Sequence, residues 1–105
     1  MSAPTFDHVV YVAPDLDRAV EDLERRTGVR AAYGGRHAGL GTHNALLALG
    51  EREYLEVLAP LSQSGEATAG WLSDLEEPRL FMWAVSTSDV GALADRAHAA
   101  TTPVV

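Results

Sequence analysis

FDHVVYVAPDLDRAVEDLERRTG, from Phe6 to Gly28, reads as one strand, one tight corner and one amphipathic helix. Phe6 to Ala13 is rich in valine and tyrosine, which suit a pleated, half-buried surface. Side chains alternate along a strand, so Phe6, His8, Val10 and Val12 share one face, and Asp7, Val9, Tyr11 and Ala13 the other. Both faces are largely apolar, which predicts that both are covered. His8 is then a titratable group on an apolar face. Pro14 and Asp15 end the strand. Asp15 is a good helix N-cap, and Asp17 puts negative charge in the first turn, where the helix dipole favours it. Leu16, Ala19, Val20 and Leu23 recur at i, i+3, i+4 and i+7, the signature of one buried helix face. Arg25 and Arg26 fall in the last turn, and Gly28 closes the helix as a C′ residue.

Outward from this unit, Val29 to Tyr33 predicts a short second strand. Gly34 to Gly41, GGRHAGLG, predicts a glycine-dense loop that carries Arg36 and His37 and lets a ligand approach the backbone. Thr42 to Leu49 reads as a third strand with Thr42, Asn44, Leu46 and Ala48 on one face; His43 faces the other way. Gly50 and Glu51 fit a hairpin turn. Glu53 to Ala59 reads as a fourth strand, in which Tyr54, Glu56 and Leu58 share a face. Glu56 repeats the oddity of His8, an ionisable group flanked by large apolar residues. Pro60 to Ser73 is polar enough for a surface loop, with Trp71 and Leu72 suggesting a short helical pin. Arg79 to Ser86 is a fifth strand. Ser88 or Asp89 can cap a second helix whose apolar face is Val90, Leu93, Ala94 and Ala97. Thr101 to Val105 is again β-prone. Tyr54 and Trp83 read as core residues, and His43 and His98 as structural or surface groups.

The two strand–helix units align when Asp15 is set on Asp89, an offset of 74 residues. Asp15-Leu16, Ala19-Val20 and Leu23 then fall on Asp89-Val90, Leu93-Ala94 and Ala97, which suggests a duplicated module.

The 105 residues are enough for one domain and not two, and 47% hydrophobic residues supply an ordinary core. A net charge of −7 argues against nucleic acid or an anionic membrane as a partner. The lack of cysteine excludes disulfides, thiolate metal sites and a cysteine nucleophile. Apolar runs fall far short of the ~20 residues that span a bilayer. MSAPTFD has neither the basic nor the apolar region of a signal peptide, so a cytoplasmic protein is expected.

FDHVVYVAPDLDRAVEDLERRTG with GGRHAGLGTHNALLALGEREYLEVL resembles the glyoxalase-like branch of the vicinal oxygen chelate superfamily. That superfamily includes glyoxalase I, extradiol dioxygenases, methylmalonyl-CoA epimerase and bleomycin-resistance proteins. The resemblance is close from Phe6 to about Leu58 and looser from Arg79 to Ala100. It implies an α+β fold made of βαβββ modules, two of which normally pair so that eight strands cup a site. Residues 1–60 would be the first module, 61–78 a linker and 79–105 the strand and helix of an incomplete second module, all within one domain. The resemblance also implies a ligand pair. In metal-dependent members the first strand carries a ligand histidine and the fourth a ligand glutamate, and His8 and Glu56 match those positions. Imidazole and carboxylate suit borderline or hard divalent cations in open sites. Under the repeat alignment His8 falls on Met82, a poor ligand, and the counterpart of Glu56 lies beyond Val105. A longer parent chain or a second copy is therefore expected to complete the sheet.

These readings converge on a glyoxalase-like enzyme of lyase, isomerase or dioxygenase type acting on a small oxygen-rich metabolite. His8 and Glu56 would hold a divalent metal, or Glu56 would move a proton without one, as the catalytic group. His37, Thr42 and Asn44 would contact the substrate. The rival is a non-catalytic binding protein of the bleomycin-resistance kind, with no metal and with His8 and Glu56 as a structural pair. The open sheet edges of an incomplete module predict a homodimer or a strand-swapped assembly.

Overall fold

The computed structural model describes residues 3–37, 39–61, 72 and 74–100. Its elements are β1 (Thr5–Val12), α1 (Leu16–Thr27), β2 (Ala32–His37), β3 (Thr42–Ala48), β4 (Tyr54–Pro60), β5 (Arg79–Ser86) and α2 (Val90–Ala100). This is an α+β fold with one mixed sheet in the order β2-β3-β4-β1-β5. The β1–β4 pair is parallel, and the other three pairs are antiparallel.

Helix α1 forms for the reasons its sequence carries. The Asp15 side chain accepts from the Arg18 amide at 3.0 Å, and Gly28 closes the last turn at φ 77° with its N–H on Glu24 O. Leu16, Ala19, Val20 and Leu23 are buried against Ala45, Leu47, Val57 and Ala59 of the sheet. Full burial of a Leu or Val side chain stabilises by roughly 1.5–3 kcal/mol. This face, carrying Tyr11 and Ala13 from β1, is the main core.

The opposite face is different. Val10 and Val12 are buried under Leu72, with Leu58 and Leu75 beside them. Toward the other end the same face is open: Phe6 is 43% exposed and Leu46 is 39% exposed. The expectation that both faces of β1 are covered holds at one end only, because α1 covers one side and a few loop residues cover part of the other.

Three further expectations change. The second strand lies at Ala32–His37, not Val29 to Tyr33, so Gly34, Gly35, Arg36 and His37 are strand rather than loop. The reversal is tighter, with Gly39 and Gly41 at φ 77° and 67°. The β3–β4 connection is longer than two residues, closed by Leu49 N–H to Glu53 O at 2.9 Å. Helix α2 starts as expected, Asp89 Oδ1 accepting from the Ala92 amide at 2.9 Å. Its apolar residues are nevertheless not buried: Val90 is 72% exposed, and Ala94 and Ala97 are exposed. Among the described residues α2 packs closely on no other element. The Trp71 part of the helical pin, most of the 61–78 linker and the Thr101–Val105 stretch lie outside the described residues.

The β1–β5 register carries the 74-residue offset. Val9 faces Trp83; His8 faces Ala84 and Val10 faces Met82; Phe6 faces Val85 and Tyr11 faces Leu80. Each partner set is the other shifted by that offset, a local twofold about Val9–Trp83. The ladder has two register shifts, one between Phe6 and His8 and one between Val10 and Tyr11. The first places an extra residue, Asp7, in β1. The second places Phe81 at the corresponding point of β5.

Candidate functional site

The open face carries one continuous row of polar side chains across all five strands. It starts at β2, where His37 Nδ1 lies 2.8 Å from Thr42 Oγ1 on β3. Asn44, also on β3, places its amide nitrogen 3.3 Å from His37 Nε2 and 2.9 Å from Glu56 Oε2 on β4. Glu56 Oε1 lies 3.7 Å from His8 Nε2 on β1. His8 Nδ1 meets Asp7 Oδ2 at 2.6 Å, and Ser86 Oγ on β5 donates to Asp7 Oδ1 at 2.9 Å.

Donor and acceptor roles follow from this chain of contacts. The Asn44 amide donates to Glu56 and to His37 Nε2, so His37 carries its proton on Nδ1 and donates it to Thr42. An ionised Asp7 can only accept, so in a neutral ring His8 carries its proton on Nδ1. His8 Nε2 is then a lone pair facing a carboxylate oxygen. At 3.7 Å the two are too far apart for a hydrogen bond, and both are acceptors. A proton or a cation shared between them turns that repulsion into attraction.

Both groups are largely shielded, His8 at 20% and Glu56 at 17% side-chain exposure. The hydrogen bond from His8, then that from Ser86, holds the Asp7 carboxyl below its ordinary range. Tyr54 stacks on the His8 ring with centroids 4.7 Å apart and planes 6° from parallel. Loss of water, with the charges of Asp7 and Glu56 behind it, raises the Tyr54 phenol.

His8, Glu56, Asn44 and His37 come together in one row. Thr42 joins it from below, buried at 6% exposure and spent on His37. Two core readings are corrected. Tyr54 is half-buried and belongs to the row through its stack on His8, whereas Trp83 is 68% exposed. His43 lies on the α1 side, edge-on to Tyr33, where burial lowers its pKa and Asp17 partly opposes that. The His98 side chain lies outside the described residues. Asp7, Tyr54 and Ser86 were not singled out by sequence. Asp7 was hidden by strand alternation, and Tyr54 by its resemblance to a core residue.

The residues suit a divalent cation in type but only partly in number. Imidazole nitrogen and carboxylate oxygen are good ligands, yet a catalytic zinc takes three protein ligands. Among the described residues no group of three or more His, Cys, Asp or Glu side chains is placed to hold one metal. His8 and Glu56 supply two side chains of suitable type, short of that number. The row is also open rather than enclosed. Two clefts lie along α1, one of about 390 Å³ lined by Asp15, Arg18, Asp22 and Arg25 and one of about 430 Å³ lined by Leu16, Val20, Arg30 and Tyr33, and neither includes the row. No helix among the described residues is long and apolar enough to cross a membrane.

A sequence model of the family described as glyoxalase-like domain matches residues 6–104. Among solved structures, a methylmalonyl-CoA epimerase in complex with methylmalonyl-CoA and NH4+ is 25% identical, with a TM-score of 0.70 over 94% of this chain and 71% of that one. The methylmalonyl-CoA epimerase from Mycobacterium tuberculosis is 28% identical, with a TM-score of 0.66 over 95% of this chain and 69% of that one. A Streptomyces coelicolor methylmalonyl-CoA epimerase in complex with 2-nitronate-propionyl-CoA is 25% identical, with a TM-score of 0.70 over 94% of this chain and 73% of that one. No curated protein matches the sequence.

Proposed function

We propose, from the premise that the chain belongs to the glyoxalase-like domain family of the vicinal oxygen chelate superfamily, that it is an isomerase-type enzyme acting on a small carbonyl metabolite. The observation that carries this is the His8–Glu56 pair, two shielded acceptors aimed at one space on an open sheet face. The likeness to methylmalonyl-CoA epimerases supports chemistry at a carbon beside a carbonyl.

In this reading Glu56 Oε1 takes a proton from that carbon and later returns it, acting as general base and then acid. Asn44 holds Oε2, so the free oxygen is the one that faces substrate. His37 and Asn44 contact the substrate's polar end, and buried Thr42 acts by orienting His37. His8 and Glu56 would also be the chain's ligands to a divalent cation, which when bound would stabilise negative charge on substrate oxygens. Residues 1–60 are the first module, 61–78 the linker and 79–105 the start of a second. The symmetric β1–β5 register supports that division.

The test is deuterium exchange from D2O into the α-carbon of small carbonyl acids and acyl thioesters, methylmalonyl-CoA included. Exchange is expected with the wild type and a loss of about 10²-fold or more in Glu56→Gln. Equal exchange in the variant, or none in the wild type, contradicts the reading.

The short ligand set favours a second reading, a small-molecule-binding protein without turnover. Ligand that binds without exchange, and survives both His8→Ala and Glu56→Ala, would support it.

A further inference from the structure

Asp7 and His8 are neighbours in a strand, and strand alternation sends neighbours to opposite faces. Here their side chains meet at 2.6 Å. The reason is the register shift between Phe6 and His8 on the β5 side of β1. A bulge inserts one residue and re-aims the side chains beside it. Asp7 is that residue, and its carboxylate turns toward the imidazole instead of away from it. Ser86 of β5 then ties down the second carboxylate oxygen at 2.9 Å. The Tyr54 stack fixes the plane of the ring from β4.

We propose that Asp7, aimed by the bulge and tethered by Ser86, is a positioning residue that locks His8 in the Nδ1–H tautomer and so keeps Nε2 a bare acceptor toward Glu56. This rests on the reading of His8 and Glu56 as the working pair. An imidazole that donates to a carboxylate through one nitrogen is oriented and made more basic at the other.

The bulge does not itself demand this pair. The matching shift in β5 falls at Phe81, with Met82 in the place of His8. The same backbone device therefore exists twice in the chain and carries the Asp–His pair once. In β1 the bulge brings a carboxylate to an imidazole; in β5 the matching positions are Phe81 and Met82, which cannot form that pair.

The test is the tautomer of His8, read from imidazole 15N shifts and long-range 15N–1H couplings at about pH 8.5, well above the ordinary histidine range. The wild type is expected to show Nδ1–H. In Asp7→Asn the amide carbonyl keeps the Ser86 hydroxyl and the NH2 group turns to Nδ1, so His8 should change to Nε2–H. Asp7→Glu should restore the wild-type pattern, and Ser86→Ala should give a mixture of tautomers. A ring that stays Nδ1–H in both Asp7→Asn and Asp7→Ala overturns the proposal, as does a wild-type ring that is Nε2–H.

This readout needs neither substrate nor cation. Titration of the same proteins with Mn2+ reports on the working pair separately. About 10–100-fold weaker binding in Asp7→Asn is expected. A tautomer switch without any Mn2+ effect at His8 in the wild type would leave the positioning role standing and remove the cation reading.

Discussion

Asn44 joins the two halves of the polar row, donating to Glu56 on one side and to His37 on the other. Its own position depends on Gly34. A Cβ at Gly34 would lie 2.2 Å from Asn44 Oδ1, so any side chain there pushes the amide away. Gly34→Ala is expected to break the Asn44–Glu56 bond while leaving the fold intact. A hydrogen bond to a charged group contributes about 1.5–3 kcal/mol, so activity or ligand affinity should fall about tenfold or more. The Asn44 side-chain amide resonance checks the displacement directly. A second residue-level prediction concerns pH. Burial lowers His43, so the unfolded chain takes up its proton first as pH falls. The stability this group contributes is complete above about pH 6.5 and is lost as pH drops through the lowered folded value. The urea midpoint should therefore decline between about pH 7.5 and pH 5, and His43→Gln should flatten the decline.

His8 and Glu56 were legible in the sequence because each is an ionisable group in an apolar strand. Asp7 was not, since alternation assigns it to the α1 face and a bulge leaves no compositional mark.

At the scale of elements, α1 was fully legible because cap, dipole, periodic apolar face and terminal glycine all agree. Asp15→Ala should cost about 1 kcal/mol, and Gly28→Ala a similar amount because φ 77° is strained for alanine. In a domain of this size each should lower the melting temperature by about 4–8 °C. Strand β2 was misplaced because glycine signals a loop, whereas here Gly34 makes room for the Asn44 side chain within a strand. Helix α2 was legible as a helix but not in its packing. Its apolar pattern predicts a buried face, whereas Val90, Ala94 and Ala97 are exposed.

The whole molecule is more spread than a compact chain of its length. Its radius of gyration is 15.5 Å, against roughly 13 Å for a compact 100-residue domain. One flank is β5, an edge strand whose Leu80, Met82 and Trp83 are each at least half exposed. We expect this flank to bury itself against a second copy. The hydrodynamic mass at high concentration should approach twice 11.2 kDa, and Trp83→Glu should lower it. A single-chain mass at about millimolar concentration would contradict that expectation.

If His8 and Glu56 are a working pair and not a structural contact, a cation offered to this face of the sheet should find them. Mn2+ titration followed by paramagnetic broadening tests this most directly, because even weak binding leaves a local mark. His8 ring signals and the Asn44 amide are expected to broaden first, and Glu56→Gln to abolish the effect. Broadening that begins along α1, or that is unchanged in Glu56→Gln, would contradict it.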